Sequence, residues 1–171
     1  MKWIVKHKAR LLRWSRDLLI GASIIYAITL WQGRHLLDDD GTVVVDNVHL
    51  ATLNNDVQPL FVSDKRTLVY FFAPWCAICE LSIGNLDHLS DPELRVVRVA
   101  LDYQSQNEVE DFVNRSNVKG VVLLGSNQLK QKFKVPGYPT YYLLNEQQQV
   151  VGHSFGYSSA MGLKLKNYLN K

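Results

Sequence analysis

With 171 residues, 47% of them hydrophobic, the chain has room for one ordinary domain and an extension. Its net charge of +3 is unevenly spread: six of the 19 basic residues (Lys2, Lys6, Lys8, Arg10, Arg13 and Arg16) precede the first acid, Asp17, and the other 13 face 16 acids, a net of −3. A body of that sign gives no support to nucleic-acid binding, and no internal repeat or low-complexity segment interrupts it.

Residues 1–16 read as a basic leader. From Leu18 to Gly33 the chain is uncharged, and the basic flank ahead of this run predicts a transmembrane anchor over 17–33 that contacts the lipid bilayer. Trp14, Arg16, Trp31 and Arg34 stand where interfacial or snorkelling side chains extend a short span. The charge asymmetry keeps the amino end in the cytoplasm and exports the rest, a single-pass arrangement in the inner membrane with the body on the periplasmic side. A cleaved signal peptide is the rival reading. It would place small residues after the apolar core, where this chain has Trp31-Gln32-Gly33-Arg34-His35. Residues 34–45, with Asp38-Asp39-Asp40-Gly41, read as a linker, followed by a domain over 46–171. Thr42–Val45 and Val48–Leu53 are rich in β-formers and predict a hairpin or edge strands.

The run Leu68-Val69-Tyr70-Phe71-Phe72 reads as a buried central strand, broken by Ala73-Pro74-Trp75. The only two cysteines, Cys76 and Cys79, follow at once, where Ala77 to Leu89 takes up helical spacing with Cys79, Ile83, Leu86 and Ser90 on one stripe. Cys76 therefore falls at a helix start, where unsatisfied N–H groups favour a thiolate, and Cys79 one turn in, placed to resolve a mixed disulfide. Trp75 flanks the nucleophile. Structural zinc would need two further ligands, yet there is no second CxxC and the histidines at 7, 35, 49, 88 and 153 are scattered. A purely structural disulfide would constrain little of the unfolded chain.

Further on, Leu94–Leu101 reads as a strand, and Asn107 with Glu110 at capping-box spacing predicts a helix through Arg115. Gly120–Leu124 is a short strand, and Ser126 caps a helix carrying Leu129 and Phe133. A turn-rich Val135–Thr140 corner leads to a hairpin of Tyr141–Leu144 and Gln149–Phe155. Met161, Leu165, Tyr168 and Leu169 predict an amphipathic terminal helix. The Lys130–Lys132–Lys134 run reads as a solvated face, and His88 and His153 as surface or hydrogen-bonded residues.

This order of elements, with Phe71-Phe72-Ala73-Pro74-Trp75-Cys76-Ala77-Ile78-Cys79 and then Tyr138-Pro139-Thr140 before a hydrophobic strand, resembles the thioredoxin-like superfamily. Within it the chain is similar to membrane-anchored, exported proteins of the TlpA and ScsD type. The resemblance implies an α/β fold, a mixed central sheet flanked by helices, carried on the N-terminal transmembrane helix. It also implies a cis Tyr138–Pro139 bond beside the cysteines, an isomer that X-Pro bonds take only about 5–6% of the time, with Tyr138 pairing to extended substrate. Two positions depart from the family pattern. Tyr70 stands where thioredoxins carry a buried aspartate, and a phenol is a poor base at neutral pH, so water or Glu80 would have to assist. Gly84 stands where proline usually kinks the helix.

The expected function is that of a thiol–disulfide oxidoreductase with no cofactor beyond the Cys76–Cys79 pair. Ala77 and Ile78 bring no group that stabilises a thiolate, and Glu80 near Cys76 would destabilise one, which together favour a reductase of protein disulfides over an oxidase. The expected partners are protein thiol or disulfide substrates and a membrane reductant carrier of the DsbD type. The alternatives are a dithiol oxidase of the same compartment and a non-catalytic module holding a partner or Cu(I).

Overall fold

The computed structural model describes residues 14, 16–24 and 35–170. The chain divides into two compact units at Arg34. In the first, residues 16–24 are helical. The rest of the anchor expected over 17–33, and most of the leader over 1–16, lie outside the described residues. Among the described residues no helix is long and apolar enough to cross a membrane.

In the second unit a small antiparallel ribbon, β1 (His49–Ala51) and β2 (Val57–Pro59), precedes the main sheet. The central strand is β3, Arg66–Phe72, whose seven residues are all buried. It pairs in parallel with β4 (Leu94–Ala100), which pairs in parallel with β5 (Val122–Leu124). On its other side lie antiparallel β6 (Thr140–Leu144) and then β7 (Val150–Phe155). Helices α1 (Ala77–Ser82, tightening to a 3-10 turn over Ile83–His88), α2 (Gln106–Arg115), α3 (Asn127–Lys132) and α4 (Ala160–Leu169) complete the unit. The mixed sheet with flanking helices is the expected architecture.

The two-residue period of a strand divides β3 between two cores. Val69 and Phe71 join Val97, Val99, Leu123, Phe133 and Tyr142 on one face. Leu68, Tyr70 and Phe72 join Cys76, Cys79, Ile83, Leu86, Phe112 and Tyr141 on the other. Both cysteines thus belong to a single hydrophobic layer.

Four expectations are corrected here. The segment expected as a linker over 34–45 is part of the fold from Leu36 on, so the packed unit begins at His35 rather than at residue 46. Leu36, Leu37 and Val45 are buried, the Leu37 N–H donates to the Tyr142 hydroxyl (3.1 Å), and Val43 and Val45 bond to the backbone of Val150 and Gln148. The acidic run masks this, because Asp38–Asp40 point to solvent while their neighbours pack. Helix α2 is capped by Ser105, not Asn107: the Glu108 N–H donates to Ser105 Oγ (3.4 Å) and the Gln104 N–H to Glu108 Oε2 (2.8 Å), satisfying two N–H groups at once. The apolar stripe of α4 faces solvent, with Met161, Leu165, Tyr168 and Leu169 exposed and Leu163 buried. Its seating follows a polar network instead, since buried Arg66 donates to Asn167 Oδ1 (2.8 Å) and pairs with Asp91 (3.0 Å). Finally, the lysine run is not simply solvated: Lys130 pairs with Asp102 and Lys132 with Asp46.

Candidate active site

Strand β3 ends at Phe72, the Ala73–Trp75 corner turns the chain, and Cys76 is the residue that caps α1. Its backbone is extended and its Sγ accepts the Cys79 N–H at 3.2 Å. The Cys76 carbonyl accepts the N–H groups of Cys79 (3.0 Å) and Glu80 (3.2 Å), so the first turn closes around the sulfur. A sulfur that takes a helix-start N–H is one whose anion is stabilised. Cys76 and Cys79 are joined as a disulfide, with Cys76 8% exposed and Cys79 0%, which makes Cys76 the sulfur an outside group can reach.

Trp75 is 66% exposed, yet its position is fixed: the indole N–H donates to the Asp102 carbonyl (3.0 Å), and the ring meets Tyr138 edge-on at 5.7 Å. Asp102 sits just beyond β4 with φ +49°. Its carboxylate takes Lys130 Nζ, which stands 5.6 Å from the centre of the Tyr138 ring. Burial would raise the Asp102 carboxyl, but the neighbouring Lys130 ammonium and Tyr138 hydroxyl together outweigh it and hold the group below the usual range. Tyr138–Pro139 is cis, as the resemblance implies, and the Pro139 carbonyl accepts the Gly156 N–H (2.8 Å). Trp75 and Tyr138 therefore share one side of the site, with Pro139 joined to Tyr138 by the cis bond, and Ile78 and Leu81 of α1 are exposed.

Tyr70 and Glu80, the two expected modulators, both lie on or against the cysteine turn. Tyr70 is fully buried; its hydroxyl donates to the Cys79 carbonyl (3.2 Å) and lies 3.0 Å from Ser82 Oγ. Burial, with Tyr141 alongside, pushes the phenol far above its ordinary value, so Tyr70 braces the turn that carries Cys79 and is no proton acceptor. We expect Tyr70→Phe to cost about 1–2 kcal/mol in urea unfolding while leaving the pH profile of thiol reactivity unchanged. Glu80 is partly exposed, and its carboxylate lies 3.5 Å from Arg115 Nε. It faces a cation of α2, a partner that its sequence position does not reveal.

No family model matches the chain. It is 27% identical over 107 residues to sporulation thiol-disulfide oxidoreductase A of Bacillus subtilis, a match that takes in 58% of this chain and 65% of that protein. The crystal structure of StoA from Bacillus subtilis superposes with a TM-score of 0.65 at 23% identity, over 72% of this chain and 98% of that one. The chain has the thioredoxin-like fold and is similar in sequence to thiol–disulfide oxidoreductases. A secreted Mycobacterium tuberculosis disulfide oxidoreductase homologous to DsbE shares the fold, with a TM-score of 0.62 at 17% identity over 71% of this chain and 95% of that one.

The structure adds residues that the sequence reading passed over. Ser82 could have been found, because it lies three residues after Cys79 and so on the same side of the helix. Asp102, Lys130 and Arg115 carry no local signal; only the tertiary fold brings them to the cysteine turn.

Proposed function

We propose that the protein is a membrane-anchored thiol–disulfide oxidoreductase of the exported side that reduces protein disulfides through Cys76 and Cys79. The carrying observation is the capped sulfur: Cys76 Sγ accepts the Cys79 N–H at 3.2 Å while Cys79 is sealed behind it. In the reduced protein the Cys76 thiolate attacks one sulfur of a substrate disulfide. The Cys76–substrate S–S bond forms, and the other substrate sulfur leaves as a thiolate that takes a proton from water. Cys79 then attacks Cys76 Sγ and expels the second substrate sulfur, which takes up the proton that Cys79 gives up. The substrate has gained two electrons and two protons, and the protein holds the disulfide. Trp75 and Tyr138 flank the attacking sulfur as walls for an extended peptide, with cis Pro139 shaping the floor.

Returning the pair to the dithiol state needs a donor of two electrons, for which a membrane dithiol carrier of the DsbD type is the natural partner in an oxidising compartment. The anchor and the periplasmic placement rest on the basic leader and the uncharged run to Gly33. The direction rests on Ala77 and Ile78, which offer the thiolate no support. One observation favours the oxidase reading instead: Arg115 offsets the Glu80 charge, removing one reason to expect a basic thiol.

Two measurements decide. Cys79→Ala should accumulate mixed disulfides with substrate proteins, whereas Cys76→Ala should accumulate none; no trapping by either variant would leave only a passive binding module. A reduction potential near about −270 mV supports the reductase, and one near about −120 mV replaces it with the oxidase.

A further inference from the structure

Arg115, the last residue of α2, reaches both sides of the cysteine turn. Its Nη2 donates to the carbonyl of Pro74 (3.2 Å), two residues before Cys76, and its Nε lies 3.5 Å from Glu80 Oε1, four residues after. The guanidinium carbon is 5.5 Å from the centre of the Phe112 ring, one turn earlier on α2. Phe112 is itself fully buried and stacked on Phe72 at the end of β3. The cation thus stands on a rigid aromatic base that belongs to the same layer as the two sulfurs.

As an ion pair this contact adds little stability, because both side chains are about half exposed (48% and 42%) and such pairs contribute little. Its effect lies elsewhere. Glu80 donates its N–H to the Cys76 carbonyl, so its carboxylate is carried by the same turn as the sulfur and opposes the formation of a second negative charge there. A cation fixed to that carboxylate and to the Pro74 carbonyl cancels that charge and lifts the opposition.

We propose that Arg115 is a positioning residue that sets the acidity of Cys76 by neutralising Glu80 and holding positive charge on the cysteine turn. The inference rests on the reading of Cys76 as the attacking sulfur, and it makes α2 part of the redox machinery.

The test uses the full-length reduced protein in detergent, following the rate of Cys76 alkylation by iodoacetamide against pH at low and high salt. In Arg115→Met the pH of half-ionisation should rise by about half a unit, roughly a threefold loss of thiolate below the midpoint. Glu80→Gln should move it down by a similar amount, and the double variant should return close to wild type. Arg115→Lys keeps the charge and should recover most of the loss. Salt should shrink every difference, since these groups are partly exposed. An Arg115→Met profile that coincides with wild type overturns the proposal, as does a loss of stability without movement of the profile or a double variant in which the two shifts show no compensation. Should Arg115→Met fail to fold, Arg115→Lys and Glu80→Gln still decide: a Glu80→Gln midpoint that does not move overturns it. If wild-type Cys76 itself titrates like free cysteine, at about 8.5, the proposed function falls instead, and the failure shows before any Arg115 variant is made.

Discussion

A double substitution Leu36→Ala/Leu37→Ala will remove most or all of the stability of the folded unit. Both side chains are nearly fully buried, at 5% and 7% exposure, in the core that also holds Phe133, Tyr142 and Val150. Each large-to-small change in such a place costs about 2–5 kcal/mol, through the lost transfer energy and the cavity left behind. Together they reach about 4–10 kcal/mol, against a typical domain stability of about 5–15 kcal/mol. Urea unfolding and thermal melting measure this directly. Val44→Ala, at an exposed position of the same segment, should change stability by less than about 0.5 kcal/mol and serves as the control. A loss below about 1 kcal/mol in the double variant would restore the linker reading of residues 34–45. The practical consequence is that a soluble version of the domain must begin before Leu36, since one starting at Thr42 would expose the pocket these leucines fill.

Asp87→Ala is the second large effect expected. Arg98 lies on β4 at 3% exposure, and its guanidinium pairs with Asp87 on the 3-10 continuation of the cysteine helix. Burial pulls the Arg98 pKa down while the Asp87 charge holds it up, so the pair is a cation kept ionised in a dry site by one carboxylate. Removing the carboxylate leaves an uncompensated buried charge, at a cost of about 3–5 kcal/mol. Replacing both partners by apolar residues, as in Arg98→Met/Asp87→Leu, should recover most of that loss, because neither desolvation penalty remains. A single variant as stable as the double would show that Arg98 finds another partner. Equilibrium unfolding separates the two, and since Asp87 stands on the helix that begins at Cys76, the midpoint should be compared in oxidised and reduced protein.

The parts of the structure legible in the sequence are those with a local cause. The strand Leu68–Phe72, the corner Ala73–Trp75 and the cysteine helix follow one another as propensity and turn chemistry demand, and Ser126 caps α3 as read. The cis bond before Pro139 was accessible only through family resemblance, because no local rule distinguishes it from the Val135–Pro136 bond. Elsewhere tertiary contacts outweighed local pattern. The α4 stripe of Met161, Leu165 and Tyr168 has helical spacing, yet the helix turns Leu163 and Asn167 inward because buried Arg66 needs acceptors. Asp38–Asp40 have the composition of a tether, and the two leucines before them decide otherwise. Glu80 could be read as a charge near a sulfur, but the arginine that answers it comes from a helix 35 residues later in the chain.

The division of β3 between two layers has a consequence for how the molecule registers its own oxidation. Leu68, Tyr70 and Phe72 touch the layer that contains both sulfurs, while Val69 and Phe71 touch the one beneath α3 and the Leu36–Val45 segment. Proteins open locally in contiguous cooperative units, and the two layers are the natural candidates for separate ones. Breaking the S–S bond should loosen amide protection around Ile83, Val109 and Leu163 and leave Phe133 and Tyr142 as they were. The back of the sheet then acts as ballast, indifferent to electron traffic on the front.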